Sequence, residues 1–343
     1  SNRGDVHMKA YVLLAGSENL DSLKRVERPD PQAGPGHILV RIRACSLNYR
    51  DQAVVTGHYF GGKLQRDTIP LSDGAGEVVA IGPGVTRFKA GDRVAGTFFE
   101  NWVDGPPSME ARPALGSPLD GTLAELRVFN ERDAVAIPGN LSFEEAATLP
   151  CAGVTAWNAL MVISRVKPGD SVLCLGTGGV SMLALQFAKA AGARVFITSS
   201  SDDKLKRAQA AGADELINYK ETPDWEKEVQ RISNGRGVDH IVEVGGTGTL
   251  AKSFQSVGFR GNVCLIGVLT SGGDTSPHPL MMRGASLHGI FVGNRAMFED
   301  MNRAIEVNRI QPIVDRVFPF DQARDAFEYH RSQSHFGKVV ITI

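Results

Sequence analysis

The chain of 343 residues carries 37 lysines and arginines against 38 aspartates and glutamates, a formal net charge of −1. Such a balance lacks the basic stripe that nucleic acid or an anionic membrane surface attracts, so neither is an expected partner. No apolar run reaches the roughly eighteen residues of a membrane span, and at about 150 residues per domain the length suggests two domains.

The first seven residues, SNRGDVH, lack the apolar stretch of a secretory signal. Cys45, Cys151, Cys174 and Cys264 lie far apart with no CxxC pattern, which predicts reduced thiols and a cytoplasmic setting. From Met8 to about Pro138 the apolar runs are short, β-branched and separated by Gly and Pro: 10–14, 37–44, 76–81, 92–96 and 121–129. That texture predicts a mainly β module. From about Ser142 to Val292 it changes to strands at 171–175, 194–198, 215–218, 239–244, 262–267 and 286–292, with helices at 180–191, 202–211, 224–233 and 248–257 between them. Strands alternating with helices imply βαβ crossovers and a doubly wound parallel sheet of the dinucleotide-binding type. Two further helices (295–308 and 321–332) and a strand (337–343) follow, and the tail is expected to fold back onto the first module.

The sharpest local signal is segment 171–181, SVLCLGTGGVS. Gly176 and Gly178 fill the first two positions of GxGxxG, and Ser181 stands where a third small residue is needed. The first glycine permits a tight strand-to-helix turn, and the second lets backbone approach a pyrophosphate. The helix that follows, opening with Gly179 and Val180, would present its N-terminal amides to the phosphates. An NAD site places a carboxylate near the end of the next strand, but segment 194–201, RVFITSSS, ends in serines with Ser199 at that point. A carboxylate facing a 2′-phosphate would be repelled by about 4 kcal/mol per unit charge at about 4 Å and a dielectric near 20. Ser199, Ser200 and Lys204 are therefore expected to accept the phosphate of NADP. The blander alternative makes Ser201 or Asp202 a helix cap and Lys204 a solvated side chain.

With segments 34–40 (GPGHILV), 74–84 (GAGEVVAIGPG), 88–94 (FKAGDRV) and 147–156 (ATLPCAGVTA), the glycine turn and the closing GKVV at 337–340, the chain resembles the medium-chain dehydrogenase/reductase superfamily. Within it the chain looks most like the zinc-independent, quinone-oxidoreductase-like branch. The resemblance implies an α/β protein: a six-stranded Rossmann domain (146–293) beside a mainly β GroES-like catalytic domain (8–145, completed by 294–343). Where zinc-using members supply Cys, a His-Glu pair and a later Cys or Asp, this chain reads Asn48, Ser72-Asp73 and Cys151. Segment 100–119, where a structural zinc loop would stand, has no cysteine. Since zinc wants four ligands, or three and a water, no metal is expected.

Without a metal, hydrogen bonds have to stabilise the developing oxyanion. A quinone or enone spreads that charge through its conjugation, which favours such acceptors over a simple ketone. The resemblance assigns the catalytic side to Asn48, Tyr49, Asp51 and Tyr59, with Arg50 beside them as a partner for Asp51 or for a substrate carboxylate. It assigns the cofactor side, besides the glycine turn and the serines, to Thr155, Tyr219, Val244, Gly245, Gly267, Val268, Phe291, Val292, Gly293 and Lys338, the last expected to close over the cofactor. It also implies a homodimer paired through an edge strand, 262–268 or 286–292. The expected activity is NADPH-dependent hydride transfer to a quinone, enone or other carbonyl. A metal-free alcohol dehydrogenase and a non-catalytic NADPH-binding protein of the crystallin kind remain open alternatives.

Overall fold

The computed structural model describes residues 6–270 and 272–343. Its contacts divide the chain into two units, one running to Val154 and resuming at Gly293–Ile343, the other Thr155–Val292.

The first unit opens with the antiparallel pair β1 (His7–Leu13) and β2 (Leu23–Pro29). Strand β3 (His37–Ser46) buries Ile38, Val40 and Ile42, the period-2 signature of a strand with one face in a core. Helix α1 (Tyr49–Thr56) follows at once, and Gly57 ends it at φ +77°, a left-handed conformation that favours glycine. Then come β4 (Asp73–Ile81), β5 (Arg93–Gly96), β6 (Leu126–Asn130) and β7 (Ala134–Ala136). The strand expected from 121 begins only at Leu126. The amides of Gly121, Thr122 and Leu123 are instead taken by the carbonyls of Ile69, Leu71 and Pro70.

The first unit continues past the expected boundary at 145, through α2 (Phe143–Ala146) and a π-helical turn, Leu149–Gly153. Two bonds tie this stretch down: Ser46 Oγ donates to Ala147 O at 2.7 Å, and Cys151 N donates to Asp73 Oδ2 at 3.3 Å. Helix α3 (Val154–Trp157) and a second π turn, Asn158–Ile163, lead into the other unit.

There β8 (Ser171–Leu175), α4 (Gly179–Ala190), β9 (Arg194–Ser199), α5 (Asp202–Ala210), β10 (Glu215–Asn218), α6 (Trp225–Ile232), β11 (Val238–Glu243), α7 (Leu250–Ser256), β12 (Val257–Leu265), α8 (His278–Met282) and β13 (Ser286–Gly289) alternate; β12 starts five residues earlier than expected, and α8 is a helix not expected from the sequence. The six strands pair in parallel in the order β10-β9-β8-β11-β12-β13. The order reverses between β8 and β11, the switch point at which such sheets bind ligands beyond their carboxyl ends. Strand β12 is hydrogen-bonded on both sides, so of the two stretches expected to offer an edge only β13 does.

The tail supplies α9 (Arg295–Asn308), β14 (Val314–Pro319), α10 (Ala323–Arg331) and β15 (Lys338–Thr342). Strand β14 carries no alternation strong enough to announce it. As expected, the tail rejoins the first module: β15 lies between β14 and β3 in the sheet β14-β15-β3-β4-β5-β7.

Candidate active site

The register of β15 on β3 pairs Val340 with Ser46, and Leu47 N donates to Val339 O at 3.1 Å. Continued by two residues, that register sets Lys338 opposite Asn48, the residue that caps α1. Both are buried, at 3% and 8% exposure. Lys338 Nζ donates to Asn48 Oδ1 at 2.6 Å and to Leu47 O at 2.7 Å. Lys338 is thus a neighbour of Asn48 within the first unit, and its ammonium makes two hydrogen bonds there. The backbone N–H of Asn48 donates to Asp51 Oδ2 at 2.7 Å, while Asn48 Nδ2 is buried without a hydrogen-bond partner.

Asp51 Oδ1 lies 3.5 Å from Arg50 Nη1, one of the two pairings the sequence left open for that arginine. Burial pushes the Asp51 carboxyl up from the usual 3.8 to about 6, against the pull of Arg50 and of the Asn48 amide. Arg50 donates to Leu115 O (2.8 Å) and Ser117 O (3.0 Å), which anchors the segment before β6. Its guanidinium stands 4.6 Å from the Tyr59 ring centre and 5.1 Å from that of Phe98. Burial raises the Tyr59 phenol above its ordinary pKa, with Arg50 opposing. Tyr49 lies in the first turn of α1 and is 46% exposed.

Asp73 sits at the start of β4. Its Oδ1 accepts from Ser72 Oγ at 2.7 Å, and its Oδ2 meets Ser46 Oγ at 3.2 Å besides the Cys151 amide. Burial, and then Asp73, raise the Cys151 pKa far above the usual thiol range, so its sulfur is a neutral thiol at pH 7.

In the second unit the glycine turn has the expected form. Gly176 adopts φ +71°, and Gly178 caps α4 with no side chain on the first amides, Gly179 and Val180 included. Ser181 Oγ donates to Leu175 O at 2.7 Å, tying helix to strand at the third motif position. Gly176 N donates to Thr198 Oγ1 at 3.1 Å, which draws the end of β9 to the turn. Ser199 is buried; its Oγ accepts from Ser201 N at 3.2 Å and its carbonyl accepts from Tyr219 N at 3.0 Å. Ser201 Oγ accepts from Lys204 N at 3.2 Å, so the capping alternative holds for Ser201 while Ser199 and Ser200 end the strand without a carboxylate. Tyr219 is exposed just beyond β10.

Val244 and Gly245 follow β11, and Gly267 and Val268 follow β12. A Cβ on Gly267 would lie 2.4 Å from Val244 O, so glycine lets these two loops touch. Phe291 is exposed, and Val292 takes φ +54°, rare for a β-branched residue, with its carbonyl accepting from Asn158 Nδ2 at 2.8 Å. Thr155 is buried in α3, and Gly293 opens the returning segment of the first unit.

Two features had no local signal. One is the Lys338–Asn48 pair, which needs β15 to be set on β3. The other is Glu243, fully buried at the end of β11 and organising the next turn. It accepts from Gly245 N (2.8 Å), Gly246 N (3.1 Å), Thr249 Oγ1 (2.7 Å) and Ser253 Oγ (2.9 Å). A charge followed by two glycines was the only hint of it.

Residues 34–139 match the family described as alcohol dehydrogenase GroES-like domain, and residues 179–307 that described as zinc-binding dehydrogenase. The chain is 46% identical to the zinc-type alcohol dehydrogenase-like protein C1773.06c of Schizosaccharomyces pombe, over 97% of its own length and 99% of that protein's. It is 32% identical to the zinc-type alcohol dehydrogenase-like protein YogA of Leptosphaeria maculans, over 94% of each. Among solved structures, a Sinorhizobium meliloti 1021 chain assigned to the alcohol dehydrogenases superposes with a TM-score of 0.92 at 39% identity, covering 100% of both chains. An NAD-dependent alcohol dehydrogenase gives 0.90 at 33%, covering 98% of this chain and 100% of its own. The chain therefore belongs to the medium-chain dehydrogenase/reductase superfamily, with a GroES-like domain and a Rossmann domain. Within that class it is an alcohol dehydrogenase-like oxidoreductase.

Proposed function

We propose that this protein reduces a quinone, enone or other carbonyl with NADPH and without a catalytic metal. The carrying observation is the buried trio Lys338–Asn48–Asp51. At the position where zinc-using members place their first ligand, Asn48 gives its only side-chain acceptor to an ammonium and keeps a donor unused. Although relatives carry zinc in their names, these positions do not fit that ion. A positive charge already occupies the Asn48 oxygen, both oxygens of Asp73 are engaged, and Ser72 offers only a hydroxyl that donates to Asp73. A buried amide hydrogen without a partner suits an oxygen on which negative charge develops.

When bound at the turn of Gly176, Gly178, Gly179 and Val180, NADPH supplies the hydride. Asn48 Nδ2 then donates to the acceptor oxygen, and the Tyr59 hydroxyl, kept protonated by burial, is the proton source for the product. Asp51 fixes the Asn48 backbone, and Arg50 holds Tyr59 by its ring face. Ser199 and Ser200 accommodate the 2′-phosphate, and the edge strand β13, with Leu287 exposed, pairs two copies into a homodimer. Alcohol oxidation by the same groups is the second reading, favoured by the names of the relatives above.

The test measures NADPH and NADH oxidation against quinones, enones and aldehydes, and NADP⁺ reduction by alcohols. Asn48→Ala is expected to lower kcat about 10²-fold with little change in KM, and Ser199→Asp to weaken NADPH more than NADH. Tight NADPH binding with no turnover of any compound would instead support a non-catalytic role, and turnover of alcohols alone would support the second reading.

A further inference from the structure

An asparagine amide has two ends, and only one can stabilise an oxyanion. If Oδ1 faced the acceptor, its partial negative charge would oppose the reaction; if Nδ2 faces it, the amide is a donor. Nothing in an amide's shape selects between these orientations, which differ by a half-turn of the terminal group. A neighbour has to select. Lysine suits that task because an ammonium has three donors and no acceptor. Lys338 Nζ, 2.6 Å from Asn48 Oδ1, tolerates the oxygen and rejects the NH₂ end. The same ammonium donates to Leu47 O at 2.7 Å, so its own position is fixed by the chain that leads into Asn48. The other side of Asn48 is held by Asp51, which accepts the backbone N–H at 2.7 Å. Asn48 Nδ2 is the end left over, and it is buried and unpartnered.

We infer that Lys338 is a positioning residue: it locks the Asn48 amide so that Nδ2 is always the end offered to the substrate oxygen. The inference rests on the reading of Asn48 as the acceptor-side donor. It explains why a buried lysine stands at the first residue of β15, where the segment could equally have continued its run of apolar residues, Val339, Val340 and Ile341. The β15–β3 register delivers that lysine, so the donor depends on the tail having closed onto the first module.

Two measurements separate the hold on the amide from the reading of the site. The Asn48 side-chain NH₂ resonances in ¹⁵N-labelled protein are identified by their loss in Asn48→Ala. They are expected to shift, or to broaden by exchange between two orientations, in Lys338→Met. Lys338→Gln, whose amide can accept as well as donate, serves if the first variant does not fold. Resonances unmoved in the folded variant would overturn the inference, whatever the activity.

The second measurement is a double-mutant cycle on kcat with the best acceptor found for the wild type. Asn48→Ala and Lys338→Met are each expected to lower kcat, by about 10²-fold and about 10-fold. Combined, they are expected to do no worse than Asn48→Ala alone, because Lys338 has nothing left to orient. A multiplicative loss would mean that Lys338 acts independently of the amide, and would also overturn the inference. An Asn48→Ala enzyme with unchanged kcat would instead sink the reading of the site, leaving the resonance result to decide what Lys338 holds.

Discussion

Asp51 makes the local electrostatics measurable. Its carboxyl is buried and its pKa rises from 3.8 to about 6, so the folded chain holds the proton more tightly than the unfolded chain does. That contribution to stability is complete below about pH 4 and is lost as the pH climbs through about 6. Asp51→Asn keeps an acceptor for the Asn48 amide but has no proton to lose. Urea midpoints measured from pH 4 to 7 should fall more steeply for the wild type than for the variant; parallel curves would mean that Asp51 titrates normally. At this scale the sequence named Asn48, Asp51 and Tyr59 but not what they bond to. Of the two partners the sequence left open for Arg50, Asp51, the neighbour one residue along, lies 3.5 Å from it. Lys338, expected over the cofactor, has its ammonium turned to Asn48.

Turns decide the next scale. The β8–α4 turn was legible because its glycines are required by backbone conformation, which is a local property. The β11–α7 turn was not, because its organiser is a side chain that folds back onto its own loop. Four donors converge on Glu243, and an amide in its place would turn an NH₂ toward at least one of them. Glu243→Gln is therefore expected to cost about 1–3 kcal/mol, the penalty for leaving buried donors unmet. Equilibrium urea unfolding measures it, and a change below about 0.5 kcal/mol, the size of an ordinary surface substitution, would refute the role given to this carboxylate.

For the molecule as a whole, the tail is the element whose removal reaches furthest. Strand β15 is central in its sheet, bonded to β14 on one side and to β3 on the other, and it carries Lys338. A chain ending at Phe336 would expose both neighbours' ladders and the core, Phe318 and Phe327 included, that Val339 and Ile341 help to cover. It is expected to lose its cooperative thermal transition; a truncated protein that melts near the full-length temperature would show the first unit to be closed without it.

What the sequence determined alone was the alternation of strand and helix, the glycine turn and the serine end of β9. Each is written in residue type and spacing within a few turns of chain. Tertiary structure decided the rest: the placing of β13, and not β12, at an edge of its sheet, the inclusion of residues 146–154 in the first unit, and the meeting of Lys338 with Asn48. That meeting joins residues 290 positions apart through a strand register, and a register is a property of two paired segments, which neither segment carries by itself.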